Sequence, residues 1–264
     1  PKWFRWIGGP VVRIIYFVLT PFTDYLIFAK RSVASDFANC EHKSEFIFNY
    51  APLRMQTKLN TAVVPDVKKK FGSFPMAIHV GSISRERGWP QLLQALAIMK
   101  YRHLNVLLLG NVIEGEKVLI DEAIQLGVAE RIHLEKTVPY ELVFEYLKCS
   151  HIGLMLYQPG IKNHIFAFPI KMYDYMLAGI PFIAPDFSVE VEPVVRKEKC
   201  GLLVDTSSIK KVAQALDWLC ENPMEARQMG HRGTDAVVNT FNWEMEKDKL
   251  LAVYKKLSDR LKPT

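Results

Sequence analysis

Two residues of opposite charge stand three positions apart in the segment FPIKMYDYMLAGIPFIAPD, residues 168–186. This spacing places Lys171 and Asp174 on one face of a helix, close to its beginning after a proline. The N-terminus of a helix has unpaired N–H groups and a partial positive charge, which favour an anion such as a phosphate. A cation for phosphate and a carboxylate for sugar hydroxyls at such a helix end predict a nucleotide-sugar pocket. The alternative is a surface ion pair on a core helix.

A second candidate for phosphate binding is the loop GSISRERG, residues 81–88, which has a glycine at each end. It follows a short apolar strand, and a helix with leucines at helical spacing is predicted from about Pro90. A strand, a loop and a helix in this order allow backbone amides to meet a phosphate. Arg87 would add a positive charge there, and an exposed loop arginine is the alternative.

From residue 75 onward, short apolar strands alternate regularly with helices. Strands are predicted at residues 77–80, 106–109, 132–134, 153–157, 180–184 and 201–205. Helices are predicted from about residue 90 and at residues 116–126, 139–148, 224–233 and 242–257, with others starting after residues 168 and 208. This alternation is typical of an α/β fold, a Rossmann-like parallel sheet with helices on both faces. Ligands of such sheets lie at the carboxyl ends of the strands, where both charged segments fall.

Both segments resemble motifs of the family 4 retaining glycosyltransferases, which have the GT-B fold. Residues 168–186 are similar to the family's box P-x-K-x-(F/Y)-(E/D)-Y-M-x-(A)-G-x-P-x-I-A, and residues 80–88 to its segment V-G-R-(L)-x-x-E-K-G. The resemblance covers residues 80–257, with FNW at residues 241–243 matching a closing F-(S/N)-W signature. It implies the donor-binding half of a GT-B protein, preceded by a partial first domain.

The resemblance also implies roles for individual residues. Asp174 would bind the ribose hydroxyls of the nucleotide, and Lys171 would lie near the phosphates and the donor sugar. The implied donor-binding residues are Gly81, Ser82, Arg87, Gly88, Lys171 and Asp174. The candidate catalytic residues are Lys171, Arg87 and His164, the last of which lies in a loop over residues 161–168.

Three positions depart from the family pattern. Ser82 stands where the family has its first arginine, and Phe166 stands where it has the first of two glutamates. Asp174 replaces the second glutamate and is one methylene shorter. Arg85 is a candidate substitute for the first arginine. These departures favour, as an alternative, a non-catalytic sugar-nucleotide-binding or partner subunit of the same fold. A sugar-nucleotide epimerase of GT-B fold is a third hypothesis.

The implied activity is transfer of a hexosyl group from a nucleoside diphosphate sugar to a glycan or lipid-linked acceptor. We expect this transfer to proceed with retention at the anomeric carbon and to need neither a metal ion nor a cofactor. We also expect a role in polysaccharide biosynthesis. The four cysteines are far apart and the seven histidines show no ligand spacing, so neither pattern predicts a metal site. A net charge of +6 favours anionic partners. The expected location is cytoplasmic, with peripheral contact to an anionic membrane as a further expectation and no nucleic-acid partner.

At 264 residues the chain is long for one α/β domain and short for two. We expect a remnant of an N-terminal acceptor-side domain at residues 1–57, a linker at 58–74, the donor-binding domain at 75–240, and a C-terminal helix at 241–264 that crosses back to the first domain. Within the remnant, a helix is predicted at residues 11–19, strands at 25–29 and 46–48, and a short helix at 32–38.

Overall fold

A computed structural model describes residues 2–34, 37, 40–57 and 75–261, with the backbone alone for residues 2–10, 56, 57 and 261. The chain forms two compact units, Pro1–Tyr50 with Trp243–Thr264, and Ala51–Asn242. The linker predicted at residues 58–74 lies outside the described residues, and the other predicted domain limits stay predictions.

The larger unit contains a parallel sheet of six strands, which are β3 (Met76–Val80), β4 (Asn105–Leu109), β5 (Ile132–Glu135), β6 (Ile152–Leu154), β7 (Phe182–Pro185) and β8 (Gly201–Val204). Their order in the sheet is β5-β4-β3-β6-β7-β8. All pairs of neighbouring strands are parallel. The chain therefore adds strands outward from β3 in one direction and then outward from β6 in the other. A parallel sheet opens a crevice at the carboxyl ends of its strands where the order reverses, here between β3 and β6.

Helices alternate with these strands along the chain. They are α3 (Arg54–Thr57), α4 (Trp89–Ile98), α5 (Glu116–Gln125), α6 (Tyr140–Lys148), α7 (Lys162–Ile165), α8 (Ile170–Leu177), α9 (Glu192–Glu198), α10 (Ile209–Glu221) and α11 (Pro223–Asn239). Short 3₁₀ turns cover Arg85–Arg87 and Ala129–Arg131. The side chains of β3 and β4 are almost all buried, as expected of strands with helices on both faces. The α/β fold class predicted from the sequence is therefore confirmed.

Helix α8 is held over the point where the strand order reverses. The hydroxyl of the fully buried Tyr175 is shared between the carbonyl oxygens of Leu154, at 3.1 Å, and Ile78, at 3.3 Å. The Tyr175 ring lies so close to Gly153 that a Cβ there would stand 2.5 Å from the ring. Because Gly153 has no side chain, Tyr175 can tie α8 to both β3 and β6.

The smaller unit holds α1 (Lys2–Leu19), α2 (Arg31–Ala34) and α12 (Trp243–Leu261), with β1 (Leu26–Phe28) parallel to β2 (Ser44–Phe46). Glu246 of α12, buried and paired with Lys249, accepts a hydrogen bond from the backbone N–H of Phe48 at 2.8 Å. No helix in the described part of the chain combines the length and apolar composition that a membrane span needs.

The structure changes several predicted boundaries. The strand predicted at residues 46–48 lies at Ser44–Phe46, and the helix predicted at 224–233 extends over Pro223–Asn239. The loop predicted at 161–168 contains the short helix α7. The helix predicted at 32–38 is described only over Arg31–Ala34.

Candidate functional site

The candidate site lies at the carboxyl ends of β3 and β6, within the larger unit. Lys171, the second residue of α8, is only 9% exposed. Its Nζ lies 3.4 Å from Nε2 of His79, a buried residue near the end of β3. Because Tyr175 fixes α8 over the same two strands, the ammonium group is held at the edge where a parallel sheet binds its ligands.

The ring of Tyr157, three residues beyond β6, brings three basic side chains together. Lys171 Nζ lies 5.7 Å from the ring centroid and the Arg87 guanidinium carbon 6.0 Å from it. The His164 ring stacks on Tyr157 with centroids 4.7 Å apart and planes at 15°. Both cations therefore lie within the distance at which an aromatic face attracts positive charge. Nδ1 of His164 lies 3.1 Å from the Gln158 carbonyl oxygen, to which a protonated Nδ1 donates.

The loop at residues 81–88 closes over this group of side chains. Gly81 and Gly88 have φ values of 97° and 85°, which favour glycine. A Cβ at Gly81 would stand 3.8 Å from both Arg87 Nη1 and Lys171 Nζ, so little space separates the backbone from the cations. Ser82 takes part through its carbonyl oxygen, which accepts a hydrogen bond from Arg87 Nη1 at 3.2 Å. The loop thus orients Arg87 toward Lys171.

Asp174 lies one helical turn after Lys171 and is only 4% exposed. Its Oδ1 accepts a hydrogen bond of 2.6 Å from the hydroxyl of Tyr140, the first residue of α6. The lysine and the carboxylate therefore share a helix face, as the sequence predicts, and the carboxylate also contacts an element that follows β5.

Burial moves the pKa values of both charged residues toward neutrality. It lowers the pKa of Lys171 to about 7, and the positive charge of Arg87 acts in the same direction. It raises the pKa of Asp174 to about 7, against the Tyr140 hydrogen bond and the charge of Lys171. Burial and the charge of Lys171 also lower the pKa of His79 well below its usual value, so this imidazole is neutral. An anion next to Lys171 would favour its charged form.

The structure brings the predicted site residues into one cluster: Gly81, Ser82, Arg87, Gly88, His164, Lys171 and Asp174. Arg85 is engaged elsewhere, with its guanidinium 4.5 Å from the centre of the Trp89 ring and in an ion pair with Glu122. It is not oriented as a substitute for the arginine missing at Ser82.

The sequence does not predict three residues of the cluster, which are His79, Tyr140 and Tyr157. Each occurs near the end of a strand or the start of a helix, but no charge pair or recurrent spacing distinguishes it. The carboxyl ends of the strands were the available signal, since aromatic and imidazole groups there lie near any bound ligand.

Comparison with known proteins gives a family for most of the larger unit. A family model described as glycosyl transferases group 1 matches residues 63–236, more than half of the chain. The MMP alpha-(1->4)-mannosyltransferase of Mycolicibacterium hassiacum is 23% identical over 137 residues, which are 52% of this chain and 32% of that protein. The matched region thus spans about a third of this curated relative.

Solved structures share the fold at low sequence identity. HepE of Anabaena, in complex with UDP, has a TM-score of 0.76 and 14% identity, and the match covers 92% of this chain and 67% of that one. The sucrose-phosphate synthase of Thermosynechococcus elongatus has a TM-score of 0.71 and 20% identity, with 90% of this chain and 59% of that one covered. At these identities the likeness shows a common GT-B architecture.

Proposed function

Because this chain belongs to the glycosyl transferases group 1 family, we propose that it binds the donor of a retaining hexosyltransferase. The donor is a nucleoside diphosphate sugar, and the hexosyl group passes to a glycan or a lipid-linked acceptor. We further propose that the protein belongs to family 4 and that it transfers the sugar with retention at the anomeric carbon and without a metal ion. We place it at the periphery of a membrane, on the cytoplasmic face.

The observation that carries this proposal is the meeting of Lys171 and Arg87 over Tyr157, with Asp174 one turn away. Two cations close together at a buried site repel each other and are costly without an anion. A diphosphate supplies that anion, and the carboxylate of Asp174 accepts hydrogen bonds from the hydroxyls of a sugar. A nucleoside diphosphate sugar carries both groups in one molecule.

In this mechanism the cluster acts on the leaving group. As the bond between the anomeric carbon and the diphosphate oxygen breaks, negative charge grows on the diphosphate. Lys171 and Arg87 would neutralise this charge from fixed positions, which is how preorganised groups stabilise a transition state. His164, whose pKa is lowered by burial, would border the same space.

The names of structural neighbours support a nucleotide donor. The Anabaena protein was solved both with UDP and with UDP-glucose, and the curated relative is named a mannosyltransferase. We therefore propose a glucosyl or mannosyl nucleotide as the first donor class to examine.

A second candidate is a non-catalytic subunit that binds a sugar nucleotide. It is favoured by Ser82 and Phe166, which stand where the resembling family has an arginine and a glutamate, and by the engagement of Arg85 elsewhere. Transfer of labelled sugar to acceptor extracts by the full-length protein would exclude this candidate.

The test is calorimetric titration of the chain with UDP, GDP, ADP and CMP. One nucleotide should bind in the micromolar range, and Lys171→Ala or Asp174→Ala should weaken it about 10-fold or more, the loss expected for a charge-assisted contact. Lys100→Ala is the control, since Lys100 is an exposed lysine beyond the other end of α4. Failure of a folded wild-type sample to bind any of the four would contradict the proposal, as would unchanged affinity in both site variants.

A further inference from the structure

The hydroxyl of Tyr140 is directed at the carboxylate that our proposed function assigns to the nucleotide. It donates a hydrogen bond to Asp174 Oδ1 at 2.6 Å. The ring is held by Phe144, one turn further along α6, in an edge-to-face contact with centroids 5.9 Å apart and planes at 83°. Tyr140 is still 39% exposed, so its outer side is open to a ligand.

The second carboxylate oxygen of Asp174 is uncommitted. Within the described part of the chain, Asp174 Oδ2 accepts no hydrogen bond, although the residue is only 4% exposed. Asp174 Oδ2 is not among the fully buried polar atoms that lack a partner in the described residues, so this oxygen reaches solvent and is accessible to a ligand. A ligand hydroxyl that donates to Oδ2 would complete the pairing.

We propose that Tyr140 and Asp174 together recognise the 2′,3′-diol of a ribose, so that Tyr140 is a specificity-determining residue for ribonucleotides. This inference rests on the proposed function and names the recognition element of its donor. One ribose hydroxyl donates to Asp174 Oδ2. The other donates to the Tyr140 oxygen, whose own hydrogen is committed to Oδ1 and whose lone pairs remain available.

The shorter side chain of Asp174 explains why a second group is needed. A carboxylate drawn back by one methylene reaches less far toward the diol, and one of its oxygens is already occupied by Tyr140. The oxygen of Tyr140, which donates to Oδ1, supplies a second hydrogen-bond acceptor for the diol. A 2′- or 3′-deoxynucleotide would leave one of these two acceptors unpaired, and a site built for a hydroxyl rejects the analogue that lacks it.

The test compares ribonucleotides with their deoxy forms in three proteins: the wild type, Tyr140→Phe and the control Tyr101→Phe. The probe is whichever of UDP, GDP, ADP or CMP the wild type binds, together with its 2′-deoxy and 3′-deoxy forms. We expect the wild type to prefer the ribonucleotide about 10-fold or more over each deoxy form. Tyr140→Phe should bind one of the two deoxy forms with the same affinity as the wild type does. It should no longer bind the ribonucleotide more tightly than that deoxy form.

Loss of the tyrosine oxygen and loss of one ribose hydroxyl should therefore be non-additive. If Tyr140→Phe binds all three nucleotides more weakly by the same factor, Tyr140 only positions Asp174. If its affinity for all three is unchanged, Tyr140 has no role in binding. Either result overturns the inference and leaves the proposed function intact. Failure of the wild type to bind any nucleotide overturns both. Tyr101→Phe, made in a half-buried tyrosine whose ring contacts His103, should bind as the wild type does.

Discussion

Lys171 is the buried cation of this site, and its pKa is shifted by the groups around it. Its ammonium group is buried next to a neutral imidazole, an aromatic ring and a guanidinium. The carboxylate of Asp174 favours its charged form, and burial and the charge of Arg87 oppose it. A pKa of about 7 means that near neutral pH the residue is charged in part of the molecules. Binding of an anion raises that pKa, so binding and protonation are linked.

We expect the affinity for a nucleoside diphosphate to fall as the pH rises above 7, the region in which free Lys171 loses its proton. The terminal phosphate is already largely ionised there, because its second pKa is about 6. Asp174, whose pKa is also about 7, titrates in the same range, but it is present in both the wild type and the Lys171→Arg variant used for comparison. Titrations in buffers of different ionisation enthalpy should show proton uptake on binding. Lys171→Arg keeps its charge at these pH values and should have a flatter profile. An equal pH dependence in both proteins would contradict this assignment.

Tyr157 offers a second test, because its ring lies beside both cations and His164. Tyr157→Phe keeps the ring, and we expect its affinity for the diphosphate to stay within about 2-fold of the wild type. Tyr157→Leu removes both cation–π contacts, each worth roughly 0.5–2 kcal/mol, and should weaken binding by about 5-fold or more. Thermal unfolding of each variant separates this effect from a loss of folded protein. Equal binding by both variants would show that the ring does not position the cations.

At the scale of the elements, the site depends on close approach between backbone segments. Helix α8 can lie across β3 and β6 because Gly153 leaves room for the Tyr175 ring. The loop at residues 81–88 reaches its position because Gly88 has a φ of 85°. Since Gly88 has no side chain, it can also lie against the backbone of Leu156, two residues beyond β6. A Cβ at Gly88 would stand 2.2 Å from the Leu156 carbonyl oxygen.

Gly88→Ala should therefore be more damaging than an alanine substitution at a glycine with similar backbone geometry. The matched control is Gly127→Ala, since Gly127 also has a positive φ, of 67°, and a Cβ added there would meet no atom within 4 Å. Both variants lose about 1 kcal/mol from left-handed backbone strain, and only Gly88→Ala must also move the loop that carries Arg87. Urea unfolding should show a greater loss of stability for Gly88→Ala, by about 1–3 kcal/mol. Equal losses would show that the loop adjusts freely.

At the scale of the whole molecule, the two ends of the chain fold into one unit. The carboxylate of Glu246 in α12 accepts the backbone N–H of Phe48, which lies 198 positions earlier in the sequence. The larger unit, with its sheet and candidate site, is formed by the residues between them. Stability of the smaller unit therefore depends on both ends of the chain.

Glu246→Gln should lower the protection from hydrogen exchange of β1, β2 and the Phe48 amide, while the six-stranded sheet keeps its protection. The neutral amide is a weaker acceptor for the buried N–H of Phe48, and it cannot form the ion pair with Lys249. A hydrogen bond to a charged group contributes about 1.5–3 kcal/mol to stability. Asp248→Asn, an exposed position on the same helix, is the control and should have no effect. Unchanged protection at Phe48 in Glu246→Gln would contradict the role of this contact.

The sequence by itself determined the fold class and most of the charged residues of the site. Strand and helix types follow from apolar periodicity, which is local, and the spacing of Lys171 and Asp174 places them on one helix face wherever that helix packs. The loop at residues 81–88, the candidate for phosphate binding, is recognisable for the same reason, since its glycines and Arg87 lie within eight consecutive residues.

Only the tertiary structure decided which distant residues complete the site. The reversal of strand order between β3 and β6 brings His79, Tyr157 and Lys171 together, and no local pattern records the order of strands in a sheet. The contact between the start of α6 and helix α8 likewise gives Asp174 its partner Tyr140, 34 positions earlier. The burial that moves the pKa values of Lys171 and Asp174 toward 7 is a property of this packing, because desolvation depends on every neighbouring element and not on the adjacent residues alone.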